Sequence, residues 1–147
     1  MIVYKTGNIL ESTSQCLVNP VNCVGVMGKG LAADFKNRYP DMFKFYQKTC
    51  REGKLNLGQV AFYALKKEPN RIICLFPTKQ HWREKSTVSS IDNGFKAFIK
   101  YAPEMKIETV AFPKVGCGLG GLDFERQVQP LFEKYFLNSS ILVEIYI

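Results

Sequence analysis

Short apolar runs alternate along the chain with longer stretches whose apolar residues recur at helical spacing. Short runs rich in Val, Ile, Phe and Tyr that are bounded by Gly, Pro or Asn are typical of β-strands, and almost wholly apolar ones indicate strands covered on both faces. The alternation predicts an α/β fold with three layers, in which helices cover both faces of a mixed, largely parallel sheet. The predicted strands are Ile2–Lys5, Cys16–Val21, Gln59–Leu65, Arg71–Phe76, Thr109–Val115 and Ile141–Ile147.

Four helices are predicted between these strands. The first ends before Pro40, and Asp41 is expected to cap the second. In the fourth, Pro130 either introduces a kink or marks the true start of the helix. No linker or repeat divides the 147 residues, so one domain is expected over residues 1–147. The predicted helices are Gly30–Tyr39, Met42–Arg51, Ser89–Tyr101 and Asp123–Phe136.

Two glycine-rich loops, Gly25–Gly30 and Gly116–Gly121, each follow a predicted strand and open a predicted helix. Glycine lets backbone amides approach an anion closely, and a helix N-terminus adds unpaired N–H groups. One loop alone is as readily a tight turn, but two at one sheet edge could hold a diphosphate. The second loop matches G-x-G-x-x-G yet lies too near the C-terminus for a Rossmann fingerprint. The first lacks the Ser or Thr that follows the lysine of a P-loop.

Polar residues stand where predicted strands end. Asn19 and Asn22 flank the end of the second strand, where their carboxamides could orient sugar hydroxyls. Asn8 follows the first strand, where it could contact the edge of a base. For all three asparagines, satisfying backbone groups in a turn is the competing interpretation.

The segment after the fourth strand carries Lys79 at the carboxyl end of a buried strand, where open α/β sheets bind ligands. A partly desolvated lysine can act as a nucleophile, whereas a solvated one more often pairs with phosphate. His81, Trp82 and Arg83 follow, and they combine aromatic surface with positive charge, as sites for single-stranded nucleic acid do. Packing is the alternative role for Trp82, and a structural role is the alternative for His81.

Charge and cysteine content limit the function further. The net charge is +7, with 20 Lys and Arg against 13 Asp and Glu, which favours polyanionic partners. Five cysteines without a CxxC pair, and a single histidine, argue against a zinc site and fit a reducing compartment. No apolar run approaches the roughly 20 residues that span a bilayer, and no signal peptide is evident. A cytoplasmic protein with no metal, no cofactor and no membrane association is therefore expected.

Together, Thr6–Ile9, Asn19–Asn22 and the two glycine loops resemble the macro domain, an ADP-ribose-binding family, over essentially the whole chain. Three stretches are similar to the DarG antitoxin-type branch of that family, which is related to the terminal ADP-ribose glycohydrolases. The stretches are VNCVGVMGKGLAADFKNRYP, FPTKQHWREKS and PKVGCGLGGLDF.

The resemblance implies an ADP-ribosyl glycohydrolase that binds DNA, removes ADP-ribose from modified thymidine and reverses a DarT-type toxin. ADP-ribose would be ligand and product, ADP-ribosylated single-stranded DNA the substrate, and a toxin a possible partner. Lys79 and Asn22 would be catalytic, with the distal ribose near Asn22, and adenine would lie near Asn8 and Ile9. The other ligand-binding positions expected are Asn19, Gly28, Lys29, Gly30, Pro77, Thr78, Gly116, Cys117, Gly118, Leu119, Gly120 and Gly121, and the nucleic-acid positions are His81, Trp82 and Arg83.

Two positions depart from the wider family. Many macro domains carry Asp where this chain has Asn8. The related glycohydrolases carry an acidic residue where this chain has Gly120, whereas the DarG branch has glycine there as well. A lysine–aspartate pair is therefore not assumed. The alternative functions are hydrolysis of small metabolites such as ADP-ribose 1″-phosphate or O-acetyl-ADP-ribose, hydrolysis of ADP-ribosylated protein, and non-catalytic reading of ADP-ribose.

Overall fold

Six strands form one sheet in the computed structural model, which describes residues 1–147. The strands are β1 (Ile2–Lys5), β2 (Cys16–Val21), β3 (Ala61–Ala64), β4 (Ile72–Pro77), β5 (Thr109–Pro113) and β6 (Leu142–Tyr146). Their order is β1-β6-β5-β2-β4-β3, and every neighbouring pair is parallel except β3 and β4. The mixed, largely parallel sheet predicted from the sequence is confirmed.

Four helices cover the two faces of the sheet: α1 (Gly30–Arg38), α2 (Pro40–Arg51), α3 (Val88–Tyr101) and α4 (Gln129–Phe136). Successive side chains of a strand point to opposite faces, and β4 shows this clearly. Ile73 and Leu75 pack in a core with residues of α1 and α2, whereas Cys74 and Phe76 pack in a core with residues of α3 and α4. The three-layer architecture is confirmed. None of the four helices combines the length and apolar character needed to cross a membrane.

Close contact between α3 and the sheet depends on Gly94. A Cβ atom at this position would overlap the ring of Phe76 on β4, so only glycine lets the helix approach this strand. The approach brings Phe95 into edge-to-face contact with Phe112 of β5 at 5.5 Å between ring centroids. This packing places the middle of α3 against the carboxyl-terminal halves of β4 and β5.

A buried carboxylate ties the other side of the sheet together. Glu144 of β6 accepts hydrogen bonds from the hydroxyls of Ser12 at 2.6 Å and Ser14 at 3.0 Å, and it pairs with Lys5 of β1 at 2.9 Å. Burial raises the pKa of Glu144, but these hydrogen bonds more than offset that effect and leave the pKa below its usual range. The segment that leads into β2 is therefore anchored to β6 by an ionised group.

The predicted element boundaries need two corrections. Asp41 does not cap α2, because the helix already begins at Pro40, whose fixed φ and missing N–H suit the first helical position. The predicted helix Asp123–Phe136 is divided: Asp123 caps a wide π-type turn over Phe124–Val128, and α4 starts only at Gln129. Pro130 marks that start because it has no N–H to donate to the preceding turn. The remaining boundaries differ by only a few residues.

Candidate functional site

A cavity of about 750 Å³ opens at the carboxyl ends of β2, β4 and β5. These three strands are adjacent and parallel, so the loops that follow them meet at one edge of the sheet. Both glycine-rich loops contribute to it, as does the segment after β4. Its lining consists of residues 20–22, 26–32, 78–79, 82–85, 113–114, 116–117 and 119–120.

The first glycine loop is held in shape by Asn22. The Asn22 Nδ2 group donates to the carbonyl of Val26 at 2.8 Å, and its Oδ1 accepts from the amide of Val24 at 3.0 Å. The hydroxyl of Tyr46, on α2, lies 2.7 Å from Asn22 Oδ1 and 2.9 Å from the Asn22 carbonyl oxygen, to which it donates. Burial raises the pKa of Tyr46, so this hydroxyl stays a donor. The carboxamide of Asn22 therefore organises the loop, and its contact with a ribose stays a prediction.

In the second glycine loop, Gly116 and Gly120 are required for different reasons. Gly116 has a φ of +79°, a left-handed conformation that side chains disfavour, and a Cβ there would lie 2.8 Å from Leu122 Cδ1. Gly120 has no such φ, but its Cβ would lie 2.5 Å from the hydroxyl oxygen of Ser86. The amide of Ser86 also donates to the Gly120 carbonyl at 2.9 Å. Ser86, which lies two residues before α3, therefore fills the space that a side chain at Gly120 would need.

Lys79 links the segment after β4 to the second loop. Its amine donates to the carbonyl of Trp82 at 3.3 Å and to the carbonyl of Leu119 at 3.5 Å. Lys79 and Leu119 both line the cavity, so the amine lies where the segment after β4 and the second glycine loop face each other. A primary amine held this way can bind an anion or, when neutral, attack an electrophilic carbon.

The cavity carries a strong excess of positive charge. Five cationic side chains line it against a single carboxylate, that of Glu84. Such a surface favours an anionic ligand, and the backbone amides of the loops add to this preference. The cations are Lys29, Lys79, Arg83, Lys85 and Lys114.

Three of the charged lining residues were not among the predicted site residues: Glu84, Lys85 and Lys114. Lys85 lies against the second loop, with its Cδ 3.2 Å from the place of a Cβ at Gly121. Their positions in the sequence held a usable signal, since Lys114 directly precedes the second loop and the other two continue the segment that begins at Lys79. No three His, Cys, Asp or Glu residues are grouped so that they could hold a metal ion.

Trp82 is exposed at the edge of the cavity, with 46% of its surface accessible. The guanidinium of Arg83 lies 4.7 Å from the Trp82 ring centroid, and the His81 ring lies 5.2 Å from it on a tilted plane. His81 does not line the cavity, and its Nδ1 accepts from the amide of Arg83 at 3.2 Å. The three side chains form a small stacked surface beside the cavity.

Seven predicted site residues do not line the cavity. Asn8 instead caps the short 3₁₀ turn Ile9–Glu11 by accepting from the amide of Leu10 at 3.0 Å, and Ile9 is only 4% exposed in the core beneath α1 and α2. Asn19 is fully buried against the sulfur of Met27. The seven are Asn8, Ile9, Asn19, Pro77, His81, Gly118 and Gly121; the other twelve all line the cavity.

Comparison with known sequences gives a family match over most of the chain. Residues 18–130 match the sequence model of the family described as Macro domain. The chain is 44% identical over 137 residues to a Mycobacterium tuberculosis protein named DNA ADP-ribosyl glycohydrolase, a match that covers 92% of this chain and 39% of that protein. A Thermus aquaticus protein of the same name is 36% identical, with 99% of this chain and 41% of that protein covered. The chain thus spans about two fifths of the length of these relatives.

Solved structures give the same result at the level of the fold. The macrodomain of Mycobacterium tuberculosis DarG superposes with a TM-score of 0.93 at 40% identity, covering 99% of this chain and 97% of that one. The structure described as Thermosipho africanus DarTG in complex with ADP-ribose superposes with a TM-score of 0.89 at 34% identity, covering 95% of this chain and 39% of that one.

Proposed function

The chain belongs to the macro domain family, and on that premise we propose that it is a glycohydrolase that removes ADP-ribose from modified thymidine in DNA. The observation that carries the proposal is the position of the Lys79 amine, which is held by the second glycine loop inside a cationic cavity. Relatives at 44% and 36% identity are named DNA ADP-ribosyl glycohydrolases, which supports the same substrate.

ADP-ribose binding would use the two glycine loops as a pair. The diphosphate would lie between the loop before α1 and the loop after β5, where backbone amides and the surrounding lysines neutralise its charge. The distal ribose would then face Lys79, with the Asn22-supported loop shaping that end of the cavity. Gly28 lines the cavity and a Cβ there would meet only Val26, at 3.7 Å, so the absence of a side chain leaves room for a close approach of the phosphates.

The reaction would proceed in two steps at the anomeric carbon C1″. In the first, the neutral amine of Lys79 attacks C1″ while the bond to the thymine nitrogen breaks. The bonding electron pair leaves with the base, which takes up a proton from solvent water, and the lysine nitrogen is left as a protonated secondary amine. In the second, water attacks C1″, the bond to the lysine nitrogen breaks, and free ADP-ribose is released with the amine restored. Glu84 is the one carboxylate of the lining, so we assign to it the proton from that water.

DNA is the substrate that the surroundings of the cavity favour. Trp82 and Arg83 offer a stacking surface and a cation beside it, as proteins that bind single strands do. The net charge of +7 favours a polyanion over a free metabolite. A Thermosipho africanus relative, 32% identical over 96% of this chain, is named a DNA ADP-ribosyl transferase-DNA ADP-ribosyl glycohydrolase fusion protein. By analogy we propose that a DNA ADP-ribosyl transferase toxin is the functional partner, in the cytoplasm where both meet DNA.

Turnover on four substrates tests this proposal. Purified protein would be incubated with an ADP-ribosylated oligonucleotide, an ADP-ribosylated protein, ADP-ribose 1″-phosphate and O-acetyl-ADP-ribose, and the products would be quantified. We expect release of unmodified oligonucleotide and free ADP-ribose at a rate well above that on the other three. Preference for a metabolite or for the modified protein would reject DNA as the substrate, and tight binding of ADP-ribose with no turnover would reject an enzyme.

A further inference from the structure

A second groove lies on the side of the molecule, away from the cavity. It has a volume of about 690 Å³ and runs between one face of α3 and the segment that leads into β3. It shares no lining residue with the cavity. We call it the α3 groove, and its lining consists of Lys54, Leu57, Gly58, Gln59, Val60, Asn93, Lys96, Ala97, Lys100 and Tyr101.

The α3 groove is cationic. Three lysines line it and no carboxylate does. Lys96 lies 3.6 Å from Asp92, but that carboxylate is shared with Lys134 at 3.4 Å, and Lys100 has no carboxylate within 4.0 Å. Lys96 and Lys100 are also four residues apart on one helix, a spacing at which like charges repel and destabilise the helix. An anion bound between them would remove that repulsion.

A row of polar and cationic residues connects the α3 groove to the cavity. Lys85 lines the cavity just before α3, and residues four apart on a helix are neighbours. Along α3 the row runs from Ser89 through Asn93 to Lys96 and Lys100, with Lys85 just before the helix and Asp92 beside Lys96. From Ser89 to Lys100 the helix rises about 16 Å, at 1.5 Å per residue. That length accommodates several nucleotides of an extended strand.

We propose that the α3 groove binds the sugar–phosphate backbone of single-stranded DNA that flanks the modified nucleotide. Lys96 and Lys100 would each contact a phosphate. Tyr101, which is 39% exposed and lies under the Lys100 amine at 5.3 Å, would stack on a base at the far end. An exposed aromatic ring beside the unpaired Lys100 favours a nucleic acid over an acidic protein segment, which would not need the ring.

This inference relies on the proposed function for its substrate, but its test uses unmodified DNA, so the two can fail separately. Binding of a fluorescent oligothymidylate of about twelve nucleotides would be measured by anisotropy over a series of salt concentrations. The test variant is Lys96→Gln/Lys100→Gln. The control is Lys44→Gln/Lys48→Gln, which removes the same charge at the same spacing from α2, where both lysines are exposed and line neither cavity.

Each phosphate contact to a single strand contributes about 0.7 to the slope of log K against log salt concentration, so two lost contacts should flatten the slope by about 1.4. The gain in affinity between about 1 M and 0.1 M salt should therefore be roughly 25-fold smaller for the variant than for the wild type. The control should keep the wild-type slope. Both variants should bind free ADP-ribose as the wild type does, and equal thermal midpoints would show that each is folded.

Equal slopes for the two double variants would overturn the proposal, since the α3 lysines would then carry no phosphate contact. Tighter binding of a polyglutamate peptide than of the oligonucleotide, lost in the α3 variant, would overturn it as well by making the groove a site for acidic protein. A flatter salt dependence in the α3 variant alone supports DNA binding by the α3 groove, even if the test on four substrates rejects glycohydrolase activity.

Discussion

Replacing Gly120 with alanine tests how the second glycine loop is positioned. The new Cβ would lie 2.5 Å from the Ser86 hydroxyl oxygen and 3.1 Å from the Ser86 Cβ. The φ of Gly120 is not in the left-handed region, so alanine adds no backbone strain and the cost comes from Ser86 alone. Ser86 is buried and joined to Gly120 through its backbone amide, so it cannot move away from the loop freely.

The size of the effect follows from these contacts. Inserting a methyl group into a packed site costs about 1–3 kcal/mol, and we expect Gly120→Ala to fall within this range. The Ser86 hydroxyl is buried without a hydrogen-bond partner, so Ser86→Ala should leave the stability within about 0.5 kcal/mol of the wild type. In the Ser86→Ala background the nearest atom is the Cβ at 3.1 Å, so Gly120→Ala should cost about 1 kcal/mol less there than in the wild type.

Urea unfolding of the wild type, both single variants and the double variant measures this coupling. Gly28→Ala is the matched control, because Gly28 also lines the cavity and its φ is not in the left-handed region. A Cβ at Gly28 would meet only Val26, at an ordinary van der Waals distance of 3.7 Å. We expect the control to stay within about 0.5 kcal/mol of the wild type. Equal costs of Gly120→Ala in the two Ser86 backgrounds would refute the reasoning.

Three further variants test other parts of the site and fold. Tyr46→Phe should lower stability by about 1–2 kcal/mol and weaken ADP-ribose binding, because Asn22 loses a buried donor; unchanged calorimetry would contradict this. Glu84→Gln should slow single-turnover hydrolysis about 10²-fold without weakening ADP-ribose binding, and an unchanged rate would exclude Glu84 as the base. Glu144 has a lowered pKa in the fold, so its ionised form stabilises the protein above about pH 4.5 and this contribution disappears as the pH falls through the folded pKa. Glu144→Gln should therefore cost about 1–3 kcal/mol at neutral pH and less in acid, as urea unfolding across pH would show.

The sequence was sufficient for the features that depend on local pattern. The apolar runs located β1 and β2 at their observed bounds, since short, mostly apolar segments between turn residues are typical of strands. The parallel order of β2 and β4 then placed the first glycine loop beside Lys79, as expected for strands whose carboxyl ends share an edge. Topology alone therefore accounts for most of the cavity.

The features that sequence reasoning missed depend on partners distant in the chain. Asn22, in the loop after β2, contacts the hydroxyl of Tyr46 on α2, and the space beside Gly120 is filled by Ser86; no local pattern reveals either contact. The carboxamide of Asn8, by contrast, is used by its own turn, the local alternative that asparagine commonly adopts. Side-chain hydrogen bonds are decided by tertiary packing, so residue type and spacing leave these choices open.

The identity of the reacting group is the central claim, and comparison of Lys79→Arg with Lys79→Ala tests it most directly. Single-turnover release of ADP-ribose from a modified oligonucleotide would be measured for both, with calorimetry to confirm that each still binds ADP-ribose. Arginine keeps the charge but stays protonated, so a nucleophilic amine predicts that both variants lose turnover while retaining binding. Substantial turnover by Lys79→Arg would contradict the account and leave Lys79 as a phosphate-binding cation.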